Sequence, residues 1–131
     1  MPEEIRIVTA AIIKKDGKYL ISQRPKGASW GLTWEFPGGK LEPEETLQDC
    51  LRREIKEELN IRIRVGKLFG VSSDVYNQIR HIVLLGFLCK FVSGQIKKSV
   101  KYTWVTPAEM AEYDFCKADI VFVKKLQSGL S

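Results

Sequence analysis

Short runs of alternating or continuous apolar residues divide this chain into predicted strands. The pattern predicts strands over 5–14, 19–23, 62–71, 80–92 and 102–105. The turn dipeptide Asp16-Gly17 indicates that the first two strands form a hairpin. The segment over 23–32 contains one proline and two glycines and is therefore expected to be a loop.

Apolar residues at four-residue steps predict a helix over 44–59. The residues of this stripe, which would face the core, are Leu47, Leu51, Ile55 and Leu59. Pro43 and the acids that follow it favour a helix that begins at Glu44, and Asn60 suits the left-handed residue that ends a helix. Shorter helices are expected after Thr106, which is suited to cap one, and over 119–127.

These elements predict one α/β domain. The length of 131 residues is that of a single domain. Strands before and after the predicted helix over 44–59 predict an α/β sandwich around a mixed β-sheet.

Three carboxylates of the predicted helix lie at positions i, i+3 and i+4 and so share one face: Glu54, Glu57 and Glu58. Like charges at this spacing repel one another. A divalent cation among them removes that repulsion, and carboxylate oxygens suit a hard ion such as Mg²⁺ or Mn²⁺. The segment over 34–40 precedes the helix with a Gly-Gly pair whose backbone can approach a phosphate or a metal closely.

The region over 39–61 resembles the Nudix box, G-x5-E-x7-R-E-U-x-E-E-x-G-U, in which U is apolar. The matching residues are Gly39, Glu45, Arg53, Glu54, Ile55, Glu57, Glu58 and Ile61. One departure is Asn60, where the family usually has glycine. The resemblance implies the Nudix fold, an α/β/α sandwich around a mixed sheet, and hydrolysis of nucleoside diphosphates linked to another group.

The resemblance also implies roles for the residues of the box. Glu54, Glu57 and Glu58 would bind Mg²⁺ together with the backbone carbonyl of Gly38, and Glu54 is the first choice to accept the proton of the attacking water. Arg53 would orient the glutamates. Glu45 would support the site, or it would only compensate the dipole of the first helical turn.

Similarity to the MutT branch of the family extends over nearly the whole chain, through the segments 23–25, 34–40, 80–82, 104–105 and 115–119. That branch converts nucleoside triphosphates to monophosphates and pyrophosphate. The residues that the resemblance places at the nucleotide are Arg24, Phe36, Lys40, Arg80 and Asp119. MutT has asparagine where this chain has Asp119. An ionised aspartate only accepts hydrogen bonds, which favours a base edge that donates and keeps CTP beside 8-oxo-dGTP as a substrate. A helix N-cap is the alternative role for Asp119.

Many family members carry a further glutamate before the strand that contains Trp104, but no acid occurs over 93–104 here. Either the box glutamates suffice, or Lys97, Lys98 and Lys101 contact phosphate instead. Two other functions remain open: hydrolysis of a dinucleoside polyphosphate, ADP-ribose or a nucleotide sugar, and nucleotide binding without turnover.

Charge and composition narrow the choice of partner. The chain carries a net charge of +5 although its predicted helix is acidic, and a basic surface around an acidic site suits a polyphosphate substrate. Charge alone is explained equally well by a generally soluble surface. No basic stripe with interleaved aromatic residues appears, so nucleic-acid binding is not expected. The longest apolar run, 82–89, is too short to span a membrane, and a cytoplasmic location is the default expectation. The three cysteines are expected to be reduced and buried.

Overall fold

A seven-stranded mixed sheet forms the centre of the protein. The computed structural model describes residues 4–28, 30–76 and 80–129. Its strands are β1 (Glu4–Lys15), β2 (Lys18–Gln23), β3 (Trp34–Glu35), β4 (Gly38–Lys40), β5 (Ile61–Tyr76), β6 (Arg80–Gly94) and β7 (Tyr102–Val105). The main order is β3-β2-β1-β6-β5, while β4 pairs with β1 and β7 pairs with β2. The β1–β6 pair is parallel and the other pairs are antiparallel, which confirms the mixed sheet.

The predicted hairpin is present, and the two long strands exceed their predicted bounds. Asp16 and Gly17 both have positive φ, as a tight two-residue turn between twisted strands requires. Strands β5 and β6 pair along their length, from Tyr76 opposite Arg80 to Ile61 opposite Gly94. The extra residues include the polar run Ser72 to Asp74 of β5 and Ser93 of β6, which the apolar pattern did not mark as strand.

The helix that carries the glutamates begins later than predicted. Helix α1 spans Leu47–Leu59, and Thr46 caps it by accepting a hydrogen bond from the Asp49 backbone N–H. Glu44 has a φ of 67°, which is left-handed and cannot open a helix. The prediction of a beginning at Glu44 was therefore wrong. The predicted end is confirmed, because Asn60 has a φ of 64° and donates its backbone N–H to Lys56 O.

The remaining helical segments are short. A 3₁₀ turn spans Ala108–Glu112. Before it, the Thr106 backbone N–H donates to the Glu109 carboxylate, and the Glu109 backbone N–H donates to the Thr106 hydroxyl. A second 3₁₀ turn, Lys117–Asp119, leads into helix α2 (Ile120–Gln127). In the described part of the chain, no helix is long and apolar enough to cross a membrane.

Two apolar clusters, one on each face of the sheet, make the fold an α/β/α sandwich. Ala11 and Ile13 of β1 pack with Leu51, Ile55 and Leu59 of α1. The alternate β1 positions, such as Ile12, pack on the other face with Phe122 of α2. All three cysteines are buried and free, as expected. The α1 stripe is therefore buried as predicted, and the glutamates border this buried seam.

Candidate active site

The three glutamates occupy the second half of α1 with unequal exposure. The side chain of Glu54 is 21% exposed and that of Glu57 is 62% exposed, while Glu58 is half-buried. Since Ile55 and Leu59 face the core, their neighbours Glu54 and Glu58 are drawn partly into the protein. The acid face is thus partly enclosed rather than fully solvated.

The Gly-Gly pair of β4 fits so closely between β1 and α1 that a Cβ added at either position would overlap a neighbouring group. A Cβ on Gly39 would overlap the Glu54 carboxylate, and a Cβ on Gly38 would overlap the backbone carbonyl of Thr9. Gly39 lies opposite Thr9 in the ladder and Gly38 lies opposite Ala10. The backbone of β4 and the Glu54 carboxylate are therefore in direct contact, as a shared ligand site requires.

Arg53 ties the glutamate helix to the loop before it. Its guanidinium lies 2.7 Å from Glu45, 3.1 Å from Glu57 and 3.3 Å from Glu54, and it donates to the Lys40 carbonyl at 3.2 Å. The hydrogen bond from Arg53 also lowers the pKa of Glu45 to about 2. These contacts agree with the predicted orienting role of Arg53.

Glu45 lies outside the helix and contacts Arg53. It precedes Thr46, and Asp49 is the acid in the first turn of α1. Its carboxylate accepts the Glu42 backbone N–H at 2.9 Å and is bonded by Arg53. The interpretation as dipole compensation in the first turn was therefore wrong, since the carboxylate binds Arg53 instead.

Replacing Arg53 with methionine is expected to reduce catalytic efficiency about 10–100-fold, the usual cost of removing a group that orients metal ligands. The control is Arg52→Met, because Arg52 pairs only with the exposed Asp49 on the same helix. The measurement is kcat/KM for both variants as a function of metal concentration. Equal values for the two variants would contradict the orienting role.

Glu35, which the sequence interpretation missed, brings a fourth carboxylate to the site. It accepts a hydrogen bond from Arg24 at 3.1 Å. Burial raises the pKa of Glu58 to about 7, and Glu35 and then Glu54 add to that rise. Arg24 opposes it. A charged residue between Trp34 and Phe36 was the only signal in the sequence for such a role.

The donors present fit a divalent cation. In the described residues, no three acidic, histidine or cysteine side chains converge as a ligand set, since Arg53 holds Glu54 and Glu57. Nevertheless, carboxylates that repel one another in a half-buried place gain stability when a hard cation lies among them. The Ala11 backbone N–H donates to Pro37 O and the Leu41 backbone N–H donates to Ile7 O, so the ladder alternation directs the Gly38 carbonyl away from β1.

Lys97 lies at the end of the glutamate helix, within the segment that lacks an acid. Its ammonium group donates to the backbone carbonyl of Glu57, and its backbone N–H donates to Leu59 O at 3.2 Å. Its charge also opposes the rise in the pKa of Glu58. The segment over 93–104 therefore reaches the site and brings it a cation.

Asp119 lies against the backbone of Phe36, and its side chain does not cap α2. It is 5% exposed, and its Oδ1 accepts the Phe36 backbone N–H at 3.0 Å. Its side chain makes no capping hydrogen bond to α2, so the N-cap alternative was wrong. Burial raises the pKa of Asp119 to about 8. At neutral pH the carboxyl is therefore mostly protonated, so it can donate as well as accept a hydrogen bond.

The Asp119→Asn variant is expected to remove a pH dependence of stability. The pKa of Asp119 is about 8 in the folded protein against an ordinary value of 3.8. The folded state therefore binds more protons, and the free energy of unfolding falls as the pH rises from about 4 to about 8. Urea unfolding of both proteins across this range measures the difference. Parallel pH profiles would contradict a buried, protonated Asp119.

The other residues predicted at the nucleotide lie in different surroundings. The ring of Phe36 is 3% exposed and packs against Phe115 and Phe122, so contact of this ring with a nucleotide stays a prediction. Arg80 is exposed at the start of β6, in register with Glu4 of β1. Arg6 holds the pKa of Glu4 below its usual range, with smaller contributions from Lys40 and Arg80. Lys40 and Arg80 are therefore near the same end of β1.

Asp74 is a second acid that the sequence interpretation passed over. Its Oδ1 lies 3.5 Å from the ammonium of Lys117, just before Asp119. Its Oδ2 is buried and, within the described residues, has no hydrogen-bond partner. No sequence pattern indicated Asp74, because its position depends on the pairing of β5 with β6.

The aromatic residues divide between surface and core. Trp30 is about half exposed in the loop before β3. Trp34 packs edge-on against Tyr113, and Trp104 packs edge-on against Phe91. Trp104 thus packs against the core, and Trp30 offers the more exposed ring for stacking on a base. The side chain of Tyr76 lies outside the described residues.

Comparison with known proteins agrees with this geometry. A family model described as a NUDIX domain matches residues 8–125. The chain is 36% identical over 114 residues to a CTP pyrophosphohydrolase of Escherichia coli, covering 86% of this chain and 84% of the relative. It is 32% identical over 123 residues to an 8-oxo-dGTP diphosphatase of Buchnera aphidicola, covering 92% of each chain. The solution structure of the E. coli ORF135 protein superposes with a TM-score of 0.84 at 32% identity, covering 96% of this chain and 91% of that one.

Proposed function

This chain belongs to the NUDIX domain family, and we propose that it hydrolyses a nucleoside triphosphate to the monophosphate and pyrophosphate with the help of a divalent cation. The observation that carries the proposal is the half-buried acid face of α1, on which the Glu54 carboxylate abuts Gly39. Relatives named as pyrophosphohydrolase and diphosphatase support the choice of a triphosphate substrate.

Mg²⁺ is the proposed cation, with Mn²⁺ as an alternative. Glu54, Glu57, Glu58 and the Gly38 carbonyl would hold it, and these are the hard oxygen donors that both ions prefer. When bound, such an ion neutralises phosphate charge and acidifies a water. Arg53 would then lose its ion pairs with Glu54 and Glu57 and keep its contacts with Glu45 and the loop before α1.

The chain's own residues would supply the remaining steps. Glu54 accepts the proton of the attacking water, because it is the glutamate closest to the Gly-Gly backbone. Lys97 offers a cation beside the phosphates at the end of α1. Arg24 and Arg80 would bind the nucleotide, each being a guanidinium with donors for phosphate or base.

Two bases remain as candidates for the substrate. A mostly protonated Asp119 both donates and accepts, so the preference expected of an ionised aspartate for a donating edge no longer applies. CTP and 8-oxo-dGTP, the substrates in the names of two relatives, are therefore both retained. Asp119 is the residue proposed to read the base in either case.

The test is pyrophosphate release from CTP, 8-oxo-dGTP, dGTP, ADP-ribose and a dinucleoside tetraphosphate, with Mg²⁺ or Mn²⁺. The Asp119→Asn variant should change the ratio of kcat/KM between the two best triphosphates about tenfold, because one base contact discriminates by about 1–3 kcal/mol. Asp114→Asn, at an exposed aspartate nearby, is the control. Preferred turnover of ADP-ribose or the tetraphosphate would support a different Nudix activity, and binding without turnover would support a regulatory module.

A further inference from the structure

A cavity of about 520 Å³ lies at the far end of the sheet from the start of β1. The hairpin turn after β1, the end of β6 and the first part of β5 line it, and its volume is in the range of small-molecule sites. Its apolar lining includes Tyr19, Val65, Leu88 and Phe91. None of these residues has a role in the proposed hydrolysis.

One row of register partners crosses four strands at this cavity. Tyr19 pairs with Lys14, Lys14 pairs with Lys90, and Lys90 pairs with Arg64. Register partners point to the same face of a sheet, and this face is the one that Ile12 shares with α2. The row therefore lies on the face opposite the glutamate helix α1.

The three cations of this row repel one another, although the Lys14 ammonium lies 5.9 Å from the centre of the Tyr19 ring. Neighbouring strands are about 4.8 Å apart, and like charges directly opposite are destabilising. Among the residues that the structure describes, no carboxylate lies within ion-pair distance of Lys14, Arg64 or Lys90. Asp16 is the single acid among the lining residues. Lys15 also lines the cavity, but its ammonium lies 4.4 Å from the centre of the Phe91 ring.

A β-bulge shapes the floor of the cavity. The register of β5 against β6 shifts between Val65 and Leu68. Gly66 lies in this shift, and a Cβ on it would come within 2.8 Å of the Leu88 carbonyl. The irregularity bends the strand at the row of cations, beside apolar surface that remains uncovered.

We propose that this cavity binds a small molecule that carries an oligophosphate chain, at a second site separate from the glutamates. The row from Lys14 to Arg64 spans two strand spacings, about 10 Å, which suits several linked phosphates rather than one. Tyr19 and Leu88, the lining residues on the same face as the row, would accept a base and sugar. A free nucleotide or pyrophosphate could each supply the phosphates.

Amide chemical shifts of the labelled full chain provide the test, in EDTA to remove divalent cations. The probes are an α,β-methylene nucleoside triphosphate, pyrophosphate and the nucleoside alone. The triphosphate should shift the amides of Lys14, Arg64 and Lys90, also in the Glu54→Gln variant, and the nucleoside should not. Tighter binding of the nucleotide than of pyrophosphate would assign the apolar lining to the base, whereas equal binding would assign the site to the phosphates alone.

The Lys14→Gln/Lys90→Gln double variant should weaken this binding at least about tenfold, since two charge-assisted contacts are lost. It should also raise the melting temperature without ligand, because two of the opposed charges are gone. The control is Lys56→Gln/Lys124→Gln, which removes the same charge from exposed positions elsewhere. Equal binding by the two double variants, or shifts confined to α1 and β4, would overturn the proposal.

Discussion

Replacing Glu54 with glutamine will lower kcat for the preferred triphosphate by about 10²–10⁴-fold, the usual contribution of a positioned proton acceptor. Glutamine keeps the shape that fits against Gly39 but cannot take a proton, and it is a weaker metal ligand. The loss should appear in kcat at saturating metal and substrate, because the substrate contacts proposed for Arg24 and Arg80 are untouched. Steady-state pyrophosphate release measures it.

The melting temperature separates chemistry from folding in this experiment. Glu54 adds to the rise in the pKa of Glu58, so removing its charge should leave the metal-free protein at least as stable. Glu112→Gln is the matched control, since Glu112 is exposed near the end of a 3₁₀ turn. A Glu54→Gln variant with full activity would exclude Glu54 as proton acceptor. One that is inactive because it is unfolded would give it a structural role instead.

Alanine at Gly38 and alanine at Gly39 should fail in different ways although the two residues are adjacent. A Cβ on Gly38 meets the backbone of Thr9 in the neighbouring strand, which cannot move without breaking the ladder. We expect Gly38→Ala to lose about 3 kcal/mol or more of stability, the upper range for an overpacked site. Urea unfolding measures this loss.

A Cβ on Gly39 meets only the end of the Glu54 side chain, which can rotate away. Gly39→Ala should therefore keep most of its stability and lose most of its activity, because the displaced carboxylate leaves the site. Activity and unfolding of the two variants, measured side by side, provide the comparison. Equal stability losses in the two variants would mean that packing fixes the Glu54 side chain. Normal activity of Gly39→Ala would contradict the place of Glu54 in the site.

Local signals predicted the glutamate helix well at one end only. Asn60 ends α1 because its short side chain tolerates the left-handed conformation, and that preference is visible in the sequence. The beginning was misplaced because Pro43 and the acids after it also suit a turn. Thr46, followed three residues later by Asp49, was the better signal, since the threonine hydroxyl caps the Asp49 N–H.

Contacts between distant segments could not be predicted from the sequence. Glu35 matters because it lies between Arg24 and Glu58, which are 34 residues apart in the chain. The charge of Asp119 depends on its burial beneath Phe36. The row of cations exists because β1 and β6 pair in parallel, a pairing that no turn between neighbouring strands specifies.

The i, i+3, i+4 spacing located the acid face, and the resemblance to the Nudix box gave it a function. The family match over residues 8–125 confirms the membership. The roles of individual residues in catalysis stay predictions. Of these, the orienting role of Arg53 has the most direct geometric support, with three carboxylates around one guanidinium.

The most direct test of the central claim is a ³¹P NMR time course with a nucleoside triphosphate, begun in EDTA and continued after excess Mg²⁺ is added. We expect no change in the ³¹P spectrum in EDTA. After Mg²⁺ is added, we expect the monophosphate and pyrophosphate as the only products, formed at least about 10²-fold more slowly by the Glu54→Gln variant. Formation of the diphosphate and inorganic phosphate, or equal turnover in EDTA, would contradict it.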